Sequence, residues 1–72
     1  MKIKDLPDSH DIIGTTVLFE GKKWDIDHAW PSGDNDIGFF LCDPNDKGMW
    51  KRQLHHHTLN RKDFFELEVV DG

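Results

Sequence analysis

The sequence predicts a mainly β domain of five short antiparallel strands, with one helical turn before the last strand. Three observations predict it. First, Thr15 to Trp30, TTVLFEGKKWDIDHAW, alternates apolar and polar residues on either side of Gly21-Lys22. That pair suits a tight two-residue turn in which glycine supplies a positive φ. Second, the apolar run IGFFLC is bounded by the turn-type stretches PSGDND and DPNDKG, as expected for a central strand between hairpin loops. Third, Asn60 stands three residues before Asp63 and is followed by FFELEVV, the pattern of a capped helical turn feeding a closing strand. A four-stranded antiparallel sheet packed on one short helix is the alternative architecture.

The elements follow in order. Residues 1–13 form an N-terminal leader in which Pro7 and the Asp/Ser/His run oppose regular structure. Its apolar residues have two uses. Ile12-Ile13 can pack under the domain, and Ile3 and Leu6 can anchor an arm that orders on a partner. Residues 14–72 form the β domain. In the first hairpin, period two places Val17 and Phe19 on one face. It places Trp24, Ile26, His28 and Trp30 together on the apolar face of the second strand, with Asp25 and Asp27 on the wet side. Pro31–Asp36 is a polar loop and Ile37–Cys42 the third strand, where Gly38 permits a close approach or a bulge. Asp43–Gly48 is a turn. Met49–His57 is the fourth strand, with Trp50, Arg52, Leu54 and His56 on one face and Met49, Lys51, Gln53, His55 and His57 on the other. Thr58–Glu66 holds the helical turn and Leu67–Val70 the last strand.

This order resembles the SH3-like small β-barrels, the group that includes SH3, Tudor and KOW modules. The residues that carry the likeness are VLFEGKKWDI as first hairpin, GFFLCDPNDKGMWKR as the next, and NRKDFFELEVV as helical turn plus closing strand. The likeness spans about Gly14 to Val70 and implies a partly open barrel. It brings no ligand with it, because the aromatic strip of proline-binding SH3 domains is absent, as is any tyrosine.

Composition narrows the function classes. A chain of 72 residues is near the size at which one core supplies only about 3–5 kcal/mol. Eight aromatics, three Trp and five Phe, offer roughly 150–250 Å² of burial each. The single cysteine, Cys42, allows no intrachain disulfide, which fits a reducing compartment. MKIKDLPDSHD lacks the apolar segment of a signal peptide, and no run reaches membrane-spanning length. The expectation is a cytoplasmic protein with no membrane association.

The formal net charge is −5, unevenly spread. Lys47 to Lys62 holds five basic residues and no acid, while the other positions hold fourteen acids against four lysines. An acidic chain is repelled by phosphate at long range, so direct nucleic-acid binding is disfavoured. Catalysis lacks a constellation: Cys42 sits in an apolar run, where a thiol is inert, and no glycine-rich phosphate loop is present. No enzyme activity and no cofactor are expected. His55 and His57 project to one side of a strand about 6–7 Å apart, which could begin a zinc site. No further ligand stands at metal-site spacing, so no metal is assigned, and a zinc-dependent module is kept as a lesser alternative. Histidines as a class also titrate near neutrality, which offers a pH-sensitive surface.

What remains is binding. Trp50, Lys51, Arg52, His55 and His57 on one strand, Arg61 and Lys62 after it, Trp30 beside its loop, and Ile3 and Leu6 in the leader are the candidate partner-binding residues. Exposed Trp and Arg are enriched at interface hot spots. The profile is similar in type to small regulators encoded by phages or mobile elements. The resulting expectation is a small non-enzymatic regulator that docks onto and inhibits a larger host protein, such as RNA polymerase or another nucleic-acid enzyme. A nucleic-acid-binding barrel that uses the basic and aromatic strand is the alternative.

Overall fold

A computed structural model of the chain describes residues 1–7, 9, 11–46 and 53–70. Among these residues five antiparallel strands form one sheet that does not close: β1 (Thr16–Phe19), β2 (Lys22–Ser32), β3 (Asp36–Cys42), β4 (His55–Asn60) and β5 (Glu68–Val69). The spatial order is β4-β3-β2-β1-β5. A short helix, α1 (Arg61–Phe65), precedes β5, and a 3₁₀ turn covers Ile3–Asp5. The mainly β class with one helical turn before the last strand is therefore observed.

The first hairpin turns at Glu20-Gly21, one residue earlier than expected, because Phe19 pairs with Lys22. Both turn residues have positive φ, 52° and 78°. A two-residue turn of that hand matches the twist of the strands it joins. The second hairpin is longer than its sequence suggests, since Pro31 and Ser32 continue β2 and pair with Ile37 and Asp36. Proline is tolerated there because β1 pairs β2 only at Lys22 to Asp25. Ile26 still bonds Gly14 and Thr15 through its backbone; beyond it, among the described residues, that side of β2 is an edge, where a missing N–H breaks no ladder.

The largest departure lies in the middle of β2. Ile26 pairs with Leu41, but His28 pairs with the next residue back, Phe40. Asp27 is thus an extra residue, a β-bulge. One extra residue exchanges the two faces of a strand whose side chains alternate. Trp24 and Ile26 face inward before the bulge. After it Ala29 faces inward opposite Phe39, and His28 and Trp30 face outward. The expectation that all four alternate residues share the buried face is corrected on this ground.

The fourth strand also differs. It begins at His55 and runs to Asn60, with Gln53 and Leu54 outside it. The expected strand residues Trp50, Lys51 and Arg52 lie outside the described residues. Helix α1 starts where the sequence places it: the Asn60 side chain accepts a hydrogen bond from the Asp63 amide at 2.8 Å, which satisfies one of the free amides of the first turn.

The core lies on the inner face of the sheet. Val17, Ile26, Ile37, Phe39 and Leu41 supply it from the strands, Phe64 from α1 and Ile3 from the 3₁₀ turn. The Phe39 and Phe64 rings lie 5.2 Å apart. Ile3 is only 2% exposed, and its amide donates to the Leu67 carbonyl while the Val69 amide donates to that of Met1. The start of the leader is thus held against β5. Ile3 is a core residue and offers nothing to a partner, which corrects its place among the binding residues. Leu6 is half-buried and packs on the same core.

The leader is further fixed by charge. Lys2 and Lys4 both donate to the Glu66 carboxylate, at 2.6 and 2.8 Å. The hydrogen bond from Lys2, then that from Lys4, pulls the Glu66 carboxyl down to about 2 from its ordinary 4.5. Lys2 is raised in turn, first by its hydrogen bond to Glu66. Pairs this exposed contribute little each.

Two predictions follow from the packing and the pairing. Phe39→Ala removes a fully buried ring at the centre of the core and should cost ~3–5 kcal/mol. That is comparable with the whole stability of a domain this size, so urea titration followed by circular dichroism should find the variant largely unfolded at 25 °C. Leu18→Ala, on the exposed side, should stay within about 0.5 kcal/mol of the parent. The second concerns pH. A carboxyl lowered by folding stabilises the native state above its unfolded value and loses that contribution as pH falls. Glu66→Gln should therefore lower the melting temperature at pH 7, and the gap should close as pH falls from 4.5 towards about 2. A gap that persists unchanged at pH 2 would count against the ion pairs.

Candidate functional site

The outer face of β2, β3 and β4 carries an aromatic platform. On an antiparallel sheet with one buried face, the other face is normally polar. Here the outward residues include His28 and Trp30 on β2, Phe40 on β3 and His56 on β4. His28 and His56 are exposed, and Trp30 and Phe40 are half-buried. The His56 ring lies 5.5 Å from the indole of Trp30, with planes only 6° apart. Phe40 lies 5.1 Å from Trp30 and 5.5 Å from His56, and His28 lies 6.0 Å from Trp30. Helix α1 packs on the opposite face, through Phe64 against Phe39.

Gly38 makes this arrangement possible. It pairs with Trp30 across β2 and β3, and a Cβ at this position would stand 2.6 Å from the indole. The missing side chain lets Trp30 lie across β3, so that it reaches both Phe40 and His56. The platform is bordered by acids: Asp27 at the bulge, Asp34 in the turn after β2 and Asp36 at the start of β3 are all exposed.

A second feature sits at the start of α1. A cleft of about 480 Å³ is lined by Lys4, Asn35, Asn60, Arg61, Lys62, Phe65 and Glu66. The Arg61 amide donates to the Asn35 carbonyl at 2.5 Å, which ties the helix start to the turn after β2. The Arg61 guanidinium carbon lies 5.9 Å from the centre of the Phe65 ring, within cation–π range.

The sequence-selected residues separate across these features. Trp30 joins the platform, and Arg61 and Lys62 line the cleft. His55 and His57 do neither. They turn inward, where His55 lies 5.1 Å from Trp24 and His57 lies 4.7 Å from Phe19 and 5.8 Å from Phe39. The middle histidine, His56, is the one on the outer face. The other possible metal ligands do not converge on the pair: His28 is on the opposite face, and Cys42 is buried with its thiol 3.7 Å from the Asp25 carbonyl. Among the described residues no group of three His, Cys, Asp or Glu is placed to hold a metal ion, and no helix is long and apolar enough to cross a membrane.

Comparison with protein-family models, with curated proteins and with solved structures returns no match. The site must therefore be read from its own chemistry. Phe40, His56 and His28 are not among the residues the sequence selects for binding, whereas the close approach expected at Gly38 is the one the Trp30 indole makes. One signal did point to Phe40: two adjacent aromatics on a strand must place one ring on each face.

The glycine beneath Trp30 gives a direct check. Gly38→Ala must push the indole off the strand, at a cost of about 1–3 kcal/mol typical of overpacking. A changed Trp fluorescence spectrum, with the inward cluster around Phe39 preserved by NMR, should report the displaced ring.

Proposed function

We propose that this chain is a small non-enzymatic docking module that binds a larger protein through the outer face of β2, β3 and β4. The observation that carries the reading is the aromatic platform of Trp30, Phe40, His56 and His28 on a sheet face where polar residues are the norm. Rigid aromatics of this kind supply large contact area at low entropic cost. The border of Asp27, Asp34 and Asp36, on a chain of net charge −5, favours a partner with a basic surface.

Enzymes that handle nucleic acid carry such surfaces. The finer form of the proposal is a regulator of the phage type that docks onto and inhibits a host nucleic-acid enzyme such as RNA polymerase. The strand order, with β1 between β2 and β5 and a helical turn before β5, is compatible with an SH3-like module. Such modules commonly serve binding and not catalysis. A single-stranded nucleic acid could also stack on near-parallel rings, but the three exposed aspartates oppose its phosphates.

The test compares the parent with Phe40→Ser and His56→Ala, two substitutions outside the core, after thermal melts show both folded. The parent, immobilised at low salt, should retain a stoichiometric partner with a basic surface. Phe40→Ser should weaken that capture at least tenfold, a loss of ~1.4 kcal/mol, and added salt should weaken it further. Purified RNA polymerase tested in a transcription assay addresses the finer form. Capture that survives both substitutions, or no stoichiometric partner at all, would reject the platform as a docking surface. A mobility shift with single-stranded oligonucleotides that both substitutions abolish would transfer the site to nucleic acid.

A further inference from the structure

We propose that the cleft at the start of α1 is a binding site for a small organic phosphate with a flat apolar body, separate from the docking face. The charge of its lining is the inverse of the chain's, and the exposed Asp34 and Asp36 oppose an anion only on the Asn35 side. Three cations line the cleft, Lys4, Arg61 and Lys62, against one carboxylate, Glu66. That carboxylate accepts from Lys2 at 2.6 Å and from Lys4 at 2.8 Å, so Lys4 is itself ion-paired and the unbalanced charge is that of Arg61 and Lys62. Arg61 and Lys62 have no ion-pair partner among the described residues. The nearby Asp63 carboxylate accepts from the Asn60 side chain at 3.0 Å and does not line the cleft.

The shape points to the ligand class. A volume of about 480 Å³ falls in the roughly 300–1,000 Å³ range of small-molecule sites. Phe65 forms one wall and is half-buried against the core, so it offers a fixed apolar surface to a ring. The Arg61 guanidinium carbon lies 5.9 Å from the centre of that ring, at the outer limit of cation–π contact, which leaves its N–H groups able to donate to an anion. Three cations supplied by two separate elements, the 3₁₀ turn and α1, suit a tetrahedral dianion better than a planar monoanion. The walls are held in place from both sides. Lys4 is steered by Glu66, and the Arg61 amide is bonded to the Asn35 carbonyl. The recognition uses side chains, with Asn35 as the neutral polar contact.

The test is an NMR titration of the full chain with phenyl phosphate, inorganic phosphate, benzoate and phenol. Phenyl phosphate should shift the amides of Asn35 and of residues 60–66 saturably, with a Kd of about 1 mM or tighter. Inorganic phosphate and benzoate should each bind at least tenfold more weakly, and phenol should give no saturable shift. Arg61→Gln and Lys62→Gln remove exposed charges and should leave the melting temperature nearly unchanged, while each weakens phenyl phosphate at least tenfold. Equal affinity for benzoate and phenyl phosphate would overturn the assignment to phosphate. No saturation by about 10 mM, ten times the expected Kd, or affinity that survives both substitutions, would overturn the site itself.

Discussion

The extra residue at Asp27 decides what this domain keeps and what it shows. Before it, β2 buries Ile26 and half-buries Trp24; after it, the same parity of residues looks outward. Without the bulge, Trp30 and His28 would face the core and Ala29 the solvent. The core could not accept that exchange. Phe39 is fully buried opposite Ala29, and an indole in the place of a methyl would force the sheet and α1 apart. The bulge therefore fits a large inner ring to a small inner neighbour and sends the surplus aromatic surface outside. The exposed platform follows from how the core is packed.

The same constraint explains the placing of the small residues. Ala29 on the inner face pairs with Phe39, and Gly38 on the outer face pairs with Trp30, whose indole lies over it. Alternating large and small residues across paired positions is how close packing is reached on a pleated surface. Here it operates on both faces. On the inner one the result is stability. On the outer one it is a set of rings whose positions are held by backbone pairing and by one another, which is the preorganisation that a binding surface gains from. Closure at the far end of the sheet depends on sequence-distant pieces. The leader adds Ile3 and α1 adds Phe64 to one core, and the shared Glu66 carboxylate joins them with exposed ion pairs of small individual worth. The apolar contacts dominate that junction, and the charges orient it.

Much of the fold was legible because it rests on local chemistry. Gly21 announces the first hairpin, the Asn60–Asp63 cap announces α1, and IGFFLC between two turn-rich loops announces a central strand. What was hidden depends on pairing. A bulge has no local signature at Asp27, since DIDHAW reads as regular alternation until its partner strand is known. The same gap misplaced the histidines. The MWKRQLHHH run suggested one strand, whereas pairing starts at His55 with Leu41. His55 and His57 turn inward and His56 outward as a result. Ile3 was hidden for a different reason: its burial depends on a bridge between Lys2 and Glu68, a contact between opposite ends of the chain. The candidate site was legible only in Trp30, Arg61 and Lys62, because exposed aromatics are recognised by where the sheet puts them and not by residue type.

The charge distribution gains a physical meaning once the elements are in place. The sequence divides into an acidic majority and a basic stretch from Lys47 to Lys62, which suggests two opposed halves. The fold does something narrower. The acids Asp27, Asp34 and Asp36 border the aromatic face, while Arg61 and Lys62 meet Lys4, from the far end of the chain, around one cleft. Opposite fields on one small body act on each other's ligands only within about a Debye length, ~8–10 Å at ordinary ionic strength. Asn35 lies between Asp34 and Asp36 and also lines the cleft, so the two fields meet at this turn. Negative charge added beside Asn35 would extend the acidic border of the platform, and positive charge added there would offset it. The coupling would be electrostatic, modest and salt-sensitive, and it would need no change in the fold.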